Sequence, residues 1–252
     1  LANKKVELRF LAMVRSLRAV GCNLPVWVIP YDNNLFDLPE NCEWVSHKPL
    51  MDWLQMHKSM SMYRKYYCLM QSNYQFVDSD IIFLRNPEEV LMPHEGFITS
   101  CGHWHNPDQT ITVESYGILK SASTIWQSTI FNAGQFACSQ VLFEFEKLKL
   151  VAEDARYIFS CLKFPHHDQP GLNLLIHLSG VRVSNLTLPP FNMQSTWAGD
   201  YDIPSYKKYW NIMDKHPYLI HWAGCKLDIG KPIDDLFFNF LSEVEKSRWK
   251  EE

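Results

Sequence analysis

The sequence has no apolar run long enough to cross a membrane, and we expect no signal peptide. A membrane-spanning helix needs about 20 mostly apolar residues in a row. The seven cysteines are scattered along the chain and include no Cys-x-x-Cys pair. That distribution is typical of reduced thiols in a core, not of a disulfide framework or a zinc site. We therefore expect a cytoplasmic protein without a transmembrane segment.

An excess of basic residues is also missing. The 24 Lys and Arg face 28 Asp and Glu, the formal net charge is −4, and there is no long run of one sign. Nucleic-acid-binding proteins normally carry a basic surface, so this class is excluded as a partner. We find no repeat, low-complexity tract or linker. With 46% hydrophobic residues the chain can form a sizeable core, and we expect a single domain over residues 1–252.

Helical and strand patterns alternate along the first half of the chain. This alternation predicts βαβ units, and hence an α/β fold with a mostly parallel central sheet flanked by helices. The first helical pattern begins near the start of the sequence with no strand before it, so we expect the first strand of the fold to be truncated. The predicted helices are 4–20 and 52–70, and the predicted strands are 25–29, 43–45 and 75–77.

The second half is more irregular. Its polar, histidine-rich segment 102–111 is typical of a surface loop, and 186–214 is loop-rich. The predicted strands are 97–99, 181–183, 218–222 and a kinked pair within 129–137; the predicted helices are 141–162 in one or two pieces, 168–178 and 233–249.

Two acidic residues, Asp78 and Asp80, stand where an apolar strand ends. Residues two apart on a strand point to the same side. Ionised carboxylates are costly to bury alone, and a hard divalent cation that also binds a phosphate is a natural partner for both. An Asp-x-Asp pair is equally common in surface turns, so the local pattern leaves a metal site and a structural turn open. In α/β folds ligands bind beyond the carboxyl ends of the strands, which is where this pair is expected.

A second segment places Asn132, Ala133 and Gly134 between two apolar stretches. Small residues let a backbone approach a ligand closely, and an asparagine amide both donates and accepts hydrogen bonds. A β-bulge with a satisfied asparagine has the same pattern, so both interpretations stay open.

A third segment has Asp168 and Gln169 at the start of a predicted helix. Asp168 is a typical N-cap residue, and capping alone would account for it. Gln169 stands in the first turn, where a helix N-terminus favours anionic or hydroxyl-rich ligands.

The fourth segment is an apolar strand that ends on His221, just before a small-residue turn. Such a histidine is either a structural residue or the nitrogen ligand of a metal whose other ligands are carboxylates. Lys226 and Lys231 follow, and either can neutralise a phosphate.

Taken together, and in the order in which they follow along the chain, the four segments resemble the motifs of glycosyltransferase family eight, the glycogenin and lipooligosaccharide galactosyltransferase group. The resemblance covers nearly the whole chain and implies the GT-A fold, a Rossmann-like α/β architecture. The positions that carry it are Lys65 (a basic residue ahead of Asp-x-Asp), 78–80 (Asp-x-Asp), 132–134 (Asn-Ala-Gly), 168–169 (Asp-Gln), 188–192 (Leu-Pro-x-x-Phe/Tyr-Asn) and 221–224 (His-x-x-Gly).

The resemblance implies transfer of a sugar from a nucleotide-diphosphate donor, usually a UDP-sugar, with retention at the anomeric carbon. It assigns Mn²⁺, or Mg²⁺, to Asp78, Asp80 and His221. It makes Asp168 a hydrogen-bond partner of the donor sugar and places Gln169 beneath the anomeric carbon. The other donor contacts it implies are Lys65, Asp78, Ser79, Asn132, Ala133, Gly134, Gly224 and Lys226.

The sequence departs from the family pattern at two places. The family's Lys-Pro pair follows His-x-x-Gly closely, whereas here Lys231-Pro232 comes later and Lys226 is nearer the expected place. The aspartate-bearing loop after the family's first strand has no counterpart, and Asn3 is the polar residue in that region. The phosphate-binding lysine and the nucleotide base therefore stay open.

Three functions are compatible with the sequence. The first is a metal-dependent retaining glycosyltransferase acting on a carbohydrate, lipid or other hydroxyl acceptor. The second is a non-catalytic relative that binds a nucleotide sugar or a glycan. The third is a nucleotidyltransferase, a class that usually has a Gly-rich phosphate loop, which this sequence lacks. We expect the acceptor to contact the loop 102–129 and the aromatic stretch 191–210, although the packing of a long loop explains those aromatics equally well.

Overall fold

Short strands form the framework of the fold. The computed structural model describes residues 1–201, 203–210 and 215–251, and in these residues eight strands form three small sheets. The strands are β1 (Val26–Val28), β2 (Cys42–Trp44), β3 (Tyr74–Val77), β4 (Ile81–Phe83), β5 (Phe97–Thr99), β6 (Gln135–Cys138), β7 (Val183–Asn185) and β8 (Leu219–His221).

The strand pairing is partly parallel and partly antiparallel. β1 and β2 form a parallel pair. The four-stranded sheet has the order β3–β6–β5–β7, in which β5 and β7 are parallel and the other two pairs are antiparallel. β4 and β8 pair antiparallel as a third sheet. The predicted α/β class is confirmed, and the predicted parallel pairing holds for part of the sheets.

Helices flank these sheets. No helix in the described ranges is both long and apolar enough to cross a membrane. The α-helices are α1 (Glu7–Ala19), α2 (Lys48–Met56), α3 (Pro87–Leu91), α4 (Val113–Ala122), α5 (Phe145–Ala152), α6 (Gln169–Ser179), α7 (Lys207–Trp210), α8 (Asp235–Phe238) and α9 (Glu243–Glu251). The 3₁₀ helices are Lys4–Val6, Ser61–Met70, His103–His105, Pro107–Gln109, Trp126–Thr129 and Ala198–Tyr201, and Phe159–Lys163 is a π-helix.

The largest apolar cluster joins the four-stranded sheet to the helices around it. Tyr66, Phe97, Phe136 and Leu174 are all essentially inaccessible to solvent. Burying one large apolar side chain contributes about 1.5–3 kcal/mol. The rings of Phe97 and Phe136 stack with their centroids 5.4 Å apart, which fixes β5 against β6. All seven cysteines have free thiols.

Helix α1 covers the sheet that carries the acidic pair. Asn3 accepts a hydrogen bond from the Lys5 amide and so starts the helical segment. The hydroxyl of Ser16, on the buried face of α1, accepts a hydrogen bond from the Phe83 amide at 3.0 Å and donates one to its own helix. This bond ties α1 to β4, and β4 begins directly after Asp80.

The helix predicted over 52–70 is wrong in its extent. The structure has α2 and then a 3₁₀ helix at Ser61–Met70, separated at Lys58, which has φ 56°. A left-handed backbone conformation cannot continue an α-helix. Helix α2 begins earlier than predicted, because His47 accepts a hydrogen bond from the Leu50 amide.

The strand predicted at the start of 129–137 is also absent, and only β6 is extended. Phe131 has no sheet partner; its amide donates to the side chain of Asn173 and its carbonyl accepts from that side chain, at 3.0 and 2.9 Å. A side-chain amide replaces a neighbouring strand, so the backbone stays satisfied while it turns. The asparagine that supplies both bonds is 42 residues away in the sequence.

Three further predictions change, and a fourth falls partly outside the described residues. Helix α4 lies in the predicted loop 102–129 and is capped by Thr112. The helix predicted over 233–249 is two helices, because Ser242 and Glu245 form a reciprocal cap that starts α9. The strand predicted at 181–183 is shifted to β7, after Gly180 ends α6 with φ 71°. In the predicted loop 186–214, residues 202 and 211–214 lie outside the described residues.

Candidate metal and donor site

The acidic pair lies at the junction of two sheets. The segment 78–80 leaves β3 in the four-stranded sheet and enters β4, the partner of β8. The Asp78 amide donates to the Gly134 carbonyl at 2.7 Å, and the Trp222 amide donates to the Asp80 carbonyl at 3.0 Å. Backbone bonds on both sides therefore fix the direction of both carboxylates.

His221 reaches the same point from β8. In the β4–β8 pair it is directly opposite Ile81, and its amide also donates to the Thr196 carbonyl at 2.7 Å. Its side chain is 5% exposed, and its Nε2 lies 3.4 Å from Asp80 Oδ1. One ligand atom from each of Asp78, Asp80 and His221 lies within 4.8 Å of the others. The predicted convergence of these three side chains is confirmed.

Gly134 makes that convergence possible. A Cβ at this position would overlap the ring of His221 and would come within 2.6 Å of Asp78 Oδ2. Only glycine lets the backbone of residues 132–134 lie directly against the two side chains. This close approach gives Gly134 a packing reason within the protein, and contact of the 132–134 segment with a ligand stays a prediction.

A buried cation lies behind the acidic pair. The Nζ of Lys65 is 3.1 Å from Asp168 Oδ2 and 3.6 Å from Asp78 Oδ1, and it donates to the Ala133 carbonyl at 3.1 Å. The side chains of Lys65 and Asp168 are 4% and 5% exposed. Burial by itself lowers the pKa of Lys65, but Asp168 and Asp78 outweigh it and raise the net value. Lys65 therefore stays charged and joins the two carboxylates.

Asp168 does not cap α6, so the alternative of simple capping is excluded. Its carboxylate turns inward to Lys65. Burial and the like charge of Asp78 raise the pKa of Asp168, whereas the charge of Lys65 lowers it. The net pKa is about 6. This carboxylate is therefore mostly ionised at neutral pH, in a setting where it can accept hydrogen bonds from ligand hydroxyls.

Gln169 is held more firmly than the sequence indicated. Its Oε1 accepts from the Ala133 amide at 3.0 Å, and its Nε2 donates to the Thr110 carbonyl at 2.5 Å. We expected an amide directed out of the helix toward a ligand. Both of its polar atoms instead fix loops that border the cavity, and this makes Gln169 a structural support for the 132–134 segment.

These residues surround a cavity of about 330 Å³. Its wall contains every predicted metal and donor residue except Lys226. The predicted residues in the wall are Lys65, Asp78, Ser79, Asp80, Asn132, Ala133, Gly134, Asp168, Gln169, His221 and Gly224.

The two candidate phosphate-binding lysines lie outside this cavity. Lys226 lines a neighbouring cavity, has an 84% exposed side chain and pairs with Asp228 at 3.0 Å. Lys231 approaches the same aspartate at 3.9 Å. Arg9 lines both cavities, so it is the cation nearest the acidic pair on this side.

Arg9 was not predicted from the sequence. Its Nη1 lies 3.9 Å from Asp80 Oδ2, and its guanidinium lies over the Trp249 ring, 5.6 Å from the centroid. Although burial raises the pKa of Asp80, the charges of His221 and Arg9 outweigh it, and the net pKa is lowered. On the sequence Arg9 is one polar residue of an amphipathic helix. Its role depends on how α1 lies across β4, and no local pattern reveals that. Tyr31, Met62 and His167 also line the cavity without having been predicted.

The chemistry of the cavity fits a divalent cation. Three carboxylates, Arg9, Lys65 and two histidines line it, so negative charge is in excess when the histidines are neutral, as a metal ligand must be. Carboxylate oxygens with one imidazole nitrogen form a donor set that suits Mn²⁺ and Mg²⁺ better than soft metals. The three ligand atoms lie within 4.8 Å of one another, so all three can face one ion.

Comparison with known proteins finds similarity at the level of the fold. The sequence matches no protein-family model and no curated protein. The fold is similar to the apo structure of the bifunctional glycosyltransferase WbbM, with a TM-score of 0.55 and 14% sequence identity. The alignment covers 100% of this chain and 50% of that one, so the chain spans half the length of the structure it matches. This similarity shows a glycosyltransferase fold.

Proposed function

We propose that this protein transfers a sugar from a nucleotide-diphosphate donor to a hydroxyl acceptor, and that the transfer requires a divalent cation. The observation that carries the proposal is the convergence of Asp78, Asp80 and His221 in one cavity of a chain with a glycosyltransferase fold. We propose Mn²⁺ or Mg²⁺ as the ion, a UDP-sugar as the donor and retention at the anomeric carbon, in accordance with the family-eight resemblance.

The proposed roles follow from the charges in the cavity. Breaking the bond between the sugar and the diphosphate leaves negative charge on the nucleotide. A bound divalent cation would supply Lewis-acid stabilisation of that charge. Arg9 lies on the side of Asp80 that opens to the neighbouring cavity, so its guanidinium can neutralise further phosphate charge. Gly224 borders the metal cavity and Lys226 borders the next one, which supports a phosphate path between them.

The opposite wall suits the donor sugar. Asn132 Oδ1 accepts a hydrogen bond from the Gly134 amide, so its Nδ2 points away from that amide. Ala133 and Gly134 leave room for a ring, and Asp168 offers an acceptor for a sugar hydroxyl. Lys65 holds Asp168 and Asp78 at fixed positions through its two ion pairs. Gln169 holds the 132–134 segment in place, so we propose that it orders the pocket beneath the sugar.

The proposal is tested by assaying a panel of nucleotide sugars for transfer and hydrolysis with Mn²⁺, with Mg²⁺ and with a chelator. We expect turnover of at least one donor only when a divalent cation is present. Asp80→Asn keeps the side-chain volume and should reduce that turnover at least about a hundredfold, more than the loss typical of an outer-shell residue.

The matched control is Asp52→Asn. Asp52 is an exposed residue of α2 that pairs with Lys48, and it lines neither the metal cavity nor the cavity that contains Arg9 and Lys226. The turnover of this variant should equal that of the wild type. Turnover that survives both chelation and Asp80→Asn would refute the proposal. Nucleotide binding without turnover of any donor would favour the non-catalytic alternative. The anomer of the product, identified by NMR, tests retention separately.

A further inference from the structure

A second cavity of about 330 Å³ adjoins the proposed metal site. Asn132, His221 and Ala223 line both cavities, so the two share one wall. The far side of the second cavity is formed by Gly102, His103 and Gln109 and by Trp197. These belong to the two segments in which we expected acceptor contacts, and the fold brings them together at this place.

Trp197 is held rigidly at this cavity. Its Nε1 donates to the Ala223 carbonyl at 2.9 Å, and its amide donates to the Ser195 hydroxyl at 3.1 Å. Gly199 supports the back of the indole, where any Cβ would overlap the ring. The ring of His103 meets it edge-on, with centroids 5.0 Å apart. A partly exposed aromatic surface that is fixed before a ligand arrives loses little conformational entropy on binding.

The neighbouring aromatics have a different environment. Tyr201, Tyr206 and Trp210 pack against each other, with centroids 4.8 to 6.2 Å apart, in a buried cluster. The side chain of Tyr209 lies outside the described residues. Packing therefore explains these three aromatics, but it does not explain why Trp197 lines a cavity next to the metal ligands.

Polar groups complete the second cavity. His103 Nε2 forms an ion pair with Asp200 Oδ2 at 3.6 Å, and the interaction with Asp200 raises the pKa of His103 to about 10. His103 lines the cavity and therefore offers a charged donor there. On the shared wall, the Nδ2 of Asn132 has no hydrogen-bond partner among the described residues, and the side chain of Gln109 is exposed.

Given the proposed function, we propose that the Trp197 cavity is the acceptor subsite and that it binds a hexopyranose ring. One face of a hexose carries several C–H groups and packs against an aromatic ring, while its hydroxyls need donors and acceptors at the edge. Trp197 provides the ring, and Asn132, His103 and Gln109 provide the polar edge. The shared wall places an acceptor hydroxyl beside the pocket proposed for the donor sugar.

The experiment measures binding of methyl glycosides of glucose, galactose and mannose by saturation-transfer NMR, with UDP and Mn²⁺ present. We expect at least one of them to bind the wild type. Trp197→Ala should weaken that binding at least about tenfold, as expected when aromatic stacking of about 1.4 kcal/mol is lost. Trp197→Phe should recover part of it. Gly199→Ala should weaken it while retaining the tryptophan, because its Cβ displaces the indole.

The control is Trp27→Ala, which removes an exposed tryptophan of β1 that lines neither of these two cavities. It should bind the glycosides as the wild type does. The thermal shift caused by UDP with Mn²⁺ is measured for every variant and should not change, which also shows that each variant is folded.

The outcomes separate the two proposals. A wild type that shows no metal-dependent response to any nucleotide contradicts the proposed function. A wild type that responds to nucleotides but binds no methyl hexoside overturns the acceptor subsite alone. Glycoside binding that Trp197→Ala and Gly199→Ala leave unchanged overturns it as well. If Trp197→Ala loses both the nucleotide response and glycoside binding, Trp197 supports the metal site and the acceptor subsite is overturned.

Discussion

At the scale of single residues, the close packing around Gly134 explains how three polar side chains meet at one point. The Gly134 carbonyl accepts from the Asp78 amide, and its Cα faces both the Asp78 carboxylate and the His221 ring. The backbone there lies closer to the two proposed ligands than any residue with a Cβ allows. The absence of a side chain is therefore as important to the site as the ligands themselves.

We predict that Gly134→Ala weakens binding of Mn²⁺ with UDP at least about tenfold, because the added methyl group displaces Asp78 and His221; losses of 10–100-fold are typical when ligand orientation is disturbed. Calorimetric titration of the metal–nucleotide complex measures the loss.

The matched control for that change is Gly117→Ala. Gly117 lies within α4, and a Cβ there meets no atom within 4 Å. Replacing glycine by alanine in a helix stabilises it by roughly 0.5–1 kcal/mol. Gly117→Ala should therefore raise the melting temperature slightly and leave metal–nucleotide binding unchanged. Equal binding by the two variants would contradict the steric account.

At the scale of elements, one side chain of α6 holds the segment that precedes Gly134. Asn173 donates to the carbonyls of Phe131 and Gln169 and accepts from the Phe131 amide, all at about 3 Å. Asn173 and Phe131 are both buried. The helix therefore fixes the approach of residues 132–134 to the acidic pair.

We predict that Asn173→Ala lowers the free energy of unfolding by about 2–4 kcal/mol, since a buried polar group left without a partner costs about 1–3 kcal/mol. Urea denaturation measures the change, and hydrogen exchange of the Phe131 amide should become faster. Asn239→Ala, at an exposed position near the end of α8, serves as the control and should change the free energy by less than about 0.5 kcal/mol. Similar losses in both variants would rule out the bridging role.

The elements also show where sequence reasoning succeeded and where it stopped. Apolar patterns place Asp78, Asp80 and His221 each at a strand boundary, but those patterns left a structural role open. Only the family-eight resemblance joined the three residues as one metal group. The bend at Phe131 could not be predicted, because the bonds that replace a strand partner come from Asn173, far away in the sequence. Arg9 escaped notice for a similar reason: only the packing of α1 across β4 brings it to the site. The breaks at Lys58 and before α9 depend on a single backbone conformation and on a cap, which apolar periodicity does not detect.

At the scale of the whole molecule, the last helix packs back onto the first. Arg15 on α1 makes two hydrogen bonds to Glu245 on α9, at 2.7 and 2.8 Å, and a further one to the Phe240 carbonyl. Arg248 and Glu7 form a second ion pair at 3.1 Å. Helix α1 in turn carries Arg9 and covers β4. We propose on this basis that residues 1–252 form one domain in which α9 supports the site through α1.

We predict that this contact weakens in acid. The hydrogen bond from Arg15 lowers the pKa of Glu245 from 4.5 to about 2. A carboxylate with a lowered pKa in the folded state stabilises that state fully above pH 4.5, and the contribution is lost as the pH falls from 4.5 toward 2. Arg15 is 43% exposed, so we expect only about 1 kcal/mol, or about 2–4 °C in melting temperature, at pH 7.

Glu245→Gln should therefore melt about 2–4 °C below the wild type at pH 7. The difference between the two melting temperatures should become smaller as the pH falls below 4.5. Circular dichroism melts at pH 7, 5, 4 and 3 provide the measurement. Glu146→Gln removes an exposed ion pair with Lys149 and should change little at any of these values. A Glu245→Gln difference that stays constant from pH 7 to pH 3 would contradict the assignment.

The central claim is that Asp78, Asp80 and His221 bind one divalent cation, and electron paramagnetic resonance tests it directly. The spectrum of free Mn²⁺ loses intensity when the ion is bound, so titration in the presence of UDP measures occupancy by the protein. We predict one site in the wild type and in Asp52→Asn, with affinity reduced at least about a hundredfold in Asp80→Asn and in His221→Gln. Equal Mn²⁺ binding by all four proteins would contradict the claim.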